Sequence, residues 1–194
     1  MYEFLFYRAF IAPSFVTSNK KRKFCLTIIV LASFSKALFA QFGNCTASEM
    51  QTYTDRETGN TITILTDTLK NDRFLYQTDP MWTHDGKYLL FRSSSRANDK
   101  KIERTLPNGE KRSWTPTQIY FIEMATGQII QATEGPDLGS AFLANKSNRM
   151  FISRKEKEDW NLYVMDLDKF FADVKKGKVG KPTAYETLLG TFPT

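Results

Sequence analysis

Few side chains in this sequence are able to do acid–base, nucleophilic or metal chemistry, and their spacing limits what can be asked of them. The sole histidine among 194 residues, His84, stands beside Asp85-Gly86, a pair that marks a turn. One imidazole cannot be both general base and metal site, and an exposed turn residue is the plainer reading, so no catalytic residue and no metal ligand is assigned. Asp166, Asp168 and Asp173 have a faint calcium-loop spacing but lack the glycine such a loop needs for its bend. Glu156, Glu158 and Asp159 alternate with Lys155 and Lys157, as on a solvated loop. Arg73, with Tyr76 and Gln77 close behind, is the better candidate for binding. A guanidinium grips a carboxylate through two parallel hydrogen bonds, although pairing with Asp72 or Asp79 would satisfy it equally well. Neither a phosphate-cradling Gly-rich loop nor a nucleophile elbow nor a CxxC pair occurs. Asn44-Cys45-Thr46 and Asn145-Lys146-Ser147 are formal glycosylation sequons.

The elements that must position these residues begin after a leader. A basic cluster, KKRK at 20–23, precedes the apolar run FCLTIIVLASF at 24–34 and then Ala37-Leu-Phe-Ala40. That layout predicts a signal peptide over 1–40, with an extra stretch at its start, and a mature chain beginning near Gln41. The chain is then expected to be periplasmic or secreted, with no membrane span after cleavage. Residues 1–40 carry six Lys/Arg and a single acid, which leaves 21 basic against 20 acidic residues and turns the overall net charge of +6 into +1. The basicity is therefore mostly targeting signal and gives no support for a nucleic-acid partner. Cys25 leaves with the leader and Cys45 remains alone, so no internal disulfide is available.

Beyond residue 40 short apolar or alternating runs are separated by Gly, Asn, Asp and Pro, the pattern of an all-β chain. Strands are predicted at TITILT (61–66), KYLLFRS (87–93), QIYFIEM (118–124), QIIQAT (128–133), RMFISR (149–154) and NLYVMDL (161–167), and DKFFADVKKGK (168–178) is read as a helical turn within a loop. The runs repeat. Asp55-Arg-Glu-Thr-Gly59 followed by Ile62 and Thr66 matches Glu123-Met-Ala-Thr-Gly127 followed by Ile130 and Thr133. QIYFIEM recurs as NLYVMDL 43 residues later, near the roughly 40 to 50 of a four-stranded propeller blade, and Trp82 to Phe91 recurs 60 residues on as Phe142 to Phe151. The excess places an insertion at 93–117, where Asn108-Gly109 suits the turn of an extra hairpin, either a solvated one or a basic flap over an acidic ligand. Consecutive apolar residues in Tyr88-Leu-Leu-Phe91 fit a blade strand covered on both faces. The expected fold is a partial β-propeller over 41–194, about two and a half to three blades of a wheel of about six or seven. Trp82, Leu90, Phe91, Tyr120, Ile122, Phe151, Tyr163 and Met165 are its predicted buried residues.

The order YTDRETGNTITILTD, NDRFLYQTDPMWTHDGKYLLF, QIYFIEMATGQIIQATEG and FLANKSNRMFISRKEKEDWNLYVMDL resembles the N-terminal half of the oligogalacturonate lyases over residues 53–168, and more loosely the TolB-like propellers. Arg73, Tyr76 and Gln77, with Gln131-Ala-Thr-Glu-Gly135 and Phe142-Leu143, tilt the resemblance toward the lyases. It implies β-elimination of oligogalacturonides, an acidic oligosaccharide as partner, a histidine base and a histidine-rich manganese site. The family's catalytic histidines belong to later blades, so this chain is expected to lack the catalytic residues, and Arg73, Tyr76 and Gln77 to face the central channel as substrate contacts. The alternative is a non-catalytic TolB-like periplasmic propeller acting as an interaction platform.

Overall fold

A turn whose geometry recurs almost atom for atom organises this chain. At each of two Thr-Gly turns the glycine adopts a positive φ, 71° at Gly59 and 72° at Gly127. Its N–H donates four residues back, to the Asp55 carbonyl at 2.9 Å and to the Glu123 carbonyl at 2.7 Å. In both, the threonine hydroxyl donates to the carboxylate that opens the turn, Thr58 to Asp55 at 2.5 Å and Thr126 to Glu123 at 2.8 Å. Each turn closes an antiparallel hairpin.

The computed structural model describes residues 42–96, 101–106, 108–135, 138–156 and 159–193, without the side chain of Arg104. They belong to one unit, Ala40–Thr194. The predicted leader and its cleavage point before Gln41 lie outside the described residues. In chain order the strands are β1 (Cys45–Thr46), β2 (Gln51–Thr54), β3 (Thr61–Ile64), β4 (Asp72–Arg73), β5 (Tyr88–Ser93), β6 (Ile102–Thr105), β7 (Lys111–Trp114), β8 (Gln118–Glu123), β9 (Ile129–Gln131), β10 (Leu138–Leu143), β11 (Arg149–Glu156), β12 (Asp159–Asp166) and β13 (Glu186–Phe192), with one α-helix, α1 (Leu167–Lys175).

The fold is all-β and of the propeller type. One blade has the order β4-β5-β8-β9 with β1 added at its far edge, and the next is the meander β10-β11-β12-β13. The 43-residue recurrence is third strand to third strand, β8 to β12, and the 60-residue one sets Phe91 and Phe151 on second strands. The insertion forms its own hairpin, β6–β7, closed by Gly109 at φ 83°, and β2–β3 stands as a separate two-stranded piece.

Residues Tyr88 to Phe91 are buried without a break because both faces of β5 are covered. Tyr88 and Leu90, with Ile119, Phe121 and Ile130, pack against Ala141, Met150, Ile152 and Met165 of the second blade. Phe91, Tyr120, Ile122 and Ile129 form a smaller cluster on the opposite face, where Leu65 and Met124 join them.

Three burial and structure expectations need correction. DKFFADVKKGK is not a loop turn: it supplies most of α1, whose Leu167, Phe170 and Phe171 are buried. Asp166 caps it, accepting from the Lys169 N–H at 3.0 Å, and the apolar positions recur at helical spacing. Phe171 stacks on Tyr88 with ring centroids 3.6 Å apart and planes 9° apart. Trp82 is 47% exposed, because it only bridges Leu89 from an isolated position ahead of the turn. Phe151 is half-buried because it alternates with Met150 and Ile152, which hold the core-facing side, whereas Tyr163, the register partner of Ile152, shares that side and packs against the core while only half-buried.

Candidate ligand pocket between the first strands

The first strand of the first blade is interrupted. Asp72 and Arg73 pair with Ser93 and Arg92, and the ladder resumes only at Trp82 opposite Leu89. Between them the chain makes an excursion that contains Tyr76 and Gln77. Both are exposed, Tyr76 by 68%, and neither lines the cavity on which Arg73 sits. Of the predicted trio, Arg73 lines this cavity and Tyr76 and Gln77 do not.

That cavity, of about 370 Å³, lies between the first blade and β10, with Trp114 of the insertion hairpin at its rim. Its floor is a cross-strand row. Arg73 on β4 is the register partner of Arg92 on β5, which is in turn the partner of Ile119 on β8. Like charges directly opposite one another on neighbouring strands repel. Among the described residues neither guanidinium has a carboxylate partner. Asp72, adjacent to Arg73 in sequence, is taken by Arg96, which also grips Glu49. The hydrogen bond from Arg96 holds the Glu49 carboxyl at about 2, against the opposing effect of its burial.

Arg73 is nonetheless anchored. Its Nε donates to Asn71 Oδ1 at 3.2 Å, and Asn71 is held by Ser94 and Ser95, to whose hydroxyls its side-chain and backbone N–H groups donate at 2.8 and 2.9 Å. One guanidinium edge is fixed by this chain of contacts while the rest stays available to a ligand. On the opposite wall β10 carries a bulge between Leu138 and Ala141, a device that re-aims residues beside sites. Gly139 is required there, since a Cβ would collide with the Trp160 ring and the Ser153 hydroxyl.

Arg92 and Trp114 were not singled out from sequence. Arg92 ends an apolar strand, and only the register shows it opposite Arg73. Trp114 lies in the segment read as a basic flap, where two of the cations are already paired: Arg112 with Glu110 at 3.0 Å and Arg96 with Glu49 and Asp72. Asp99 and Lys100 fall outside the described residues. His84 is exposed at its turn, its Nδ1 3.0 Å from the Asn145 carbonyl oxygen. Asp166 caps α1, Asp168 accepts from Asn148 at 2.8 Å and Asp173 from Tyr185 at 3.1 Å, which accounts for the three aspartates without a calcium loop. Among the described residues no helix is long and apolar enough to cross a membrane.

The fold resembles that of an oligogalacturonate lyase solved in complex with manganese, with a TM-score of 0.52, 21% sequence identity, and coverage of 79% of this chain and 32% of that one. An oligogalacturonate lyase from Vibrio parahaemolyticus matches with a TM-score of 0.47 and 24% identity over 66% of this chain and 29% of its own. This chain therefore spans about a third of the length of these lyases. No protein-family model and no curated protein matches it. Manganese finds no fit among the described residues, where no three His, Cys, Asp or Glu side chains converge.

Proposed function

We propose that the chain is part of an exported oligogalacturonate lyase-like protein, and that the pocket of Arg73 and Arg92 holds a uronate of a pectin-derived oligogalacturonide. The observation that carries this reading is the row of two register-paired guanidiniums at a cavity where no carboxylate among the described residues neutralises them. Such a row is destabilising when empty and favourable once an anion bridges it. The likeness in fold supplies the context.

Cleavage by β-elimination removes the weakly acidic proton next to the sugar carboxylate, which demands a base and a cation to hold the developing charge. In this reading the described residues bind and orient substrate, while base and metal belong to the remainder of a longer protein. The chain should bind trigalacturonate in preference to the neutral galactose trimer. Arg73→Ala should weaken that binding, with a loss that shrinks at high salt, and unchanged affinity would remove Arg73 from the site. Release of unsaturated uronides is expected from a version extended to the length of the lyases and not from residues 41–194. Robust turnover by residues 41–194 would overturn the assignment of base and metal elsewhere. Export is tested by the intact mass of secreted material, which should begin near Gln41; a retained N-terminus would rule it out.

One observation favours the alternative of a non-catalytic interaction platform: the hairpin β2–β3 is exposed along β2 and most of β3. An extended version that binds a protein partner and turns over no oligogalacturonate would decide for it.

A further inference from the structure

We infer that Trp114 is the stacking surface for the sugar ring whose carboxylate Arg73 and Arg92 hold, so that the insertion hairpin β6–β7 makes this pocket selective for a single uronate residue. The inference rests on the uronate reading above and adds the element that would recognise the rest of the ring.

A hexuronate presents two different chemistries. Its carboxylate is a planar anion, which suits paired guanidiniums. Its ring faces carry C–H bonds, which suit the negative face of an aromatic system. The cavity offers both from separate elements: the guanidiniums stand on β4 and β5, and Trp114 arrives on β7. Trp114 is 38% exposed, and the segment that follows it, Pro116-Thr117, continues along the same cavity wall and runs straight into β8. The hairpin is thus rooted at the rim of the pocket, and the pairing of Trp114 with Ile102 at the open end of its ladder sets the backbone of the tryptophan there.

The remaining wall is built from small residues. Gly139 and Ser140 sit in the bulge of β10, and the Ser140 N–H is tied to the Ser153 hydroxyl at 2.8 Å. Both line the cavity. At about 370 Å³ the space is near the lower end of the roughly 300 to 1,000 Å³ of ligand sites, which suits one sugar residue of a chain better than several. The second cavity, beside Arg96, offers no such combination, since its guanidinium is already shared by two carboxylates.

Calorimetric titration of the chain with digalacturonate and with the neutral galactose dimer tests this. Trp114→Ala should weaken digalacturonate binding about three- to tenfold, and Trp114→Tyr should recover most of the loss. Arg92→Ala should instead erase the preference for the charged over the neutral dimer. In the wild type the Trp114 indole resonance should shift on saturation, a readout that needs no variant to fold. Digalacturonate binding that Trp114→Ala leaves within twofold, or a saturable complex in which the indole does not move, overturns the role of Trp114 and leaves the uronate reading standing. Failure of the wild type to bind digalacturonate overturns both.

Discussion

The hairpins β2–β3 and β8–β9 share a turn and differ in nearly everything else. Tyr53 pairs with Ile62 in one as Phe121 pairs with Ile130 in the other, yet Tyr53 and Ile62 are 50% and 38% exposed while Phe121 and Ile130 are 0% and 2% exposed. The turn is a local matter, decided by a carboxylate, a threonine and a glycine within five residues. Burial is not. β8 has β5 beside it and α1 and the second blade above it, whereas among the described residues β2 has β3 alone. A hairpin is therefore a unit of structure here without being a unit of stability, in keeping with the marginal stability of isolated hairpins.

The strongest way to break this comparison is to truncate the equivalent aromatics. Phe121→Ala should cost about 3 to 5 kcal/mol in urea unfolding, while Tyr53→Ala should stay within about 0.5 kcal/mol; equal losses would mean that β2–β3 is packed as β8–β9 is. The turn glycines come next. Both Gly59→Ala and Gly127→Ala place a side chain at positive φ, at roughly 1 to 2 kcal/mol. Only at Gly127 does the new Cβ also run into Ser48 and Met50, with nothing near it at Gly59, so thermal unfolding should separate the two variants with Gly127→Ala the worse.

A smaller effect comes from the tether between the two regions. Glu49 lies just ahead of β2, and Arg96 ties it to Asp72 on β4. Because its carboxyl is lowered from 4.5 to about 2 in the folded chain, its stabilising contribution is full above about pH 4.5 and fades as the pH falls toward 2. Protection of the β2–β3 amides, taken as exchange relative to the intrinsic rate at each pH, should thus fall on acidification through that window. Glu49→Gln should flatten the change, and an unaltered profile would remove Glu49 as the tether. Smallest is the threonine pair: Thr126→Ala removes a bond to Glu123, which also receives Lys175 at 3.0 Å and Tyr88 at 3.3 Å, and should cost about 0.5 to 1.5 kcal/mol. Thr58→Ala, on the exposed hairpin, should leave global unfolding unmoved.

The same contrast explains what could be read from sequence. β5, β8, β9, β11 and β12 announce themselves through dense apolar runs, and both Thr-Gly turns through local chemistry. β10 was missed because Gly139 and Ser140, its bulge, break the alternation that marks a strand. The helix α1 was undervalued because charged residues mask the stripe of Leu167, Phe170 and Phe171. At the pocket, Arg73 was legible as a residue type but its partner was not, since Arg92 joins it only through a register between strands far apart in sequence. Tyr76 and Gln77 were grouped with Arg73 by proximity in sequence, and the excursion before Trp82 separates them.

The measurement that bears most directly on function is backbone hydrogen exchange of the chain with and without trigalacturonate. Binding between the first strands predicts slowed exchange around Arg73, Arg92 and the bulge at Gly139 and Ser140, with β2–β3 unchanged. Slowed exchange confined to β2–β3, or a saturated complex with no change around Arg73 and Arg92, would contradict it.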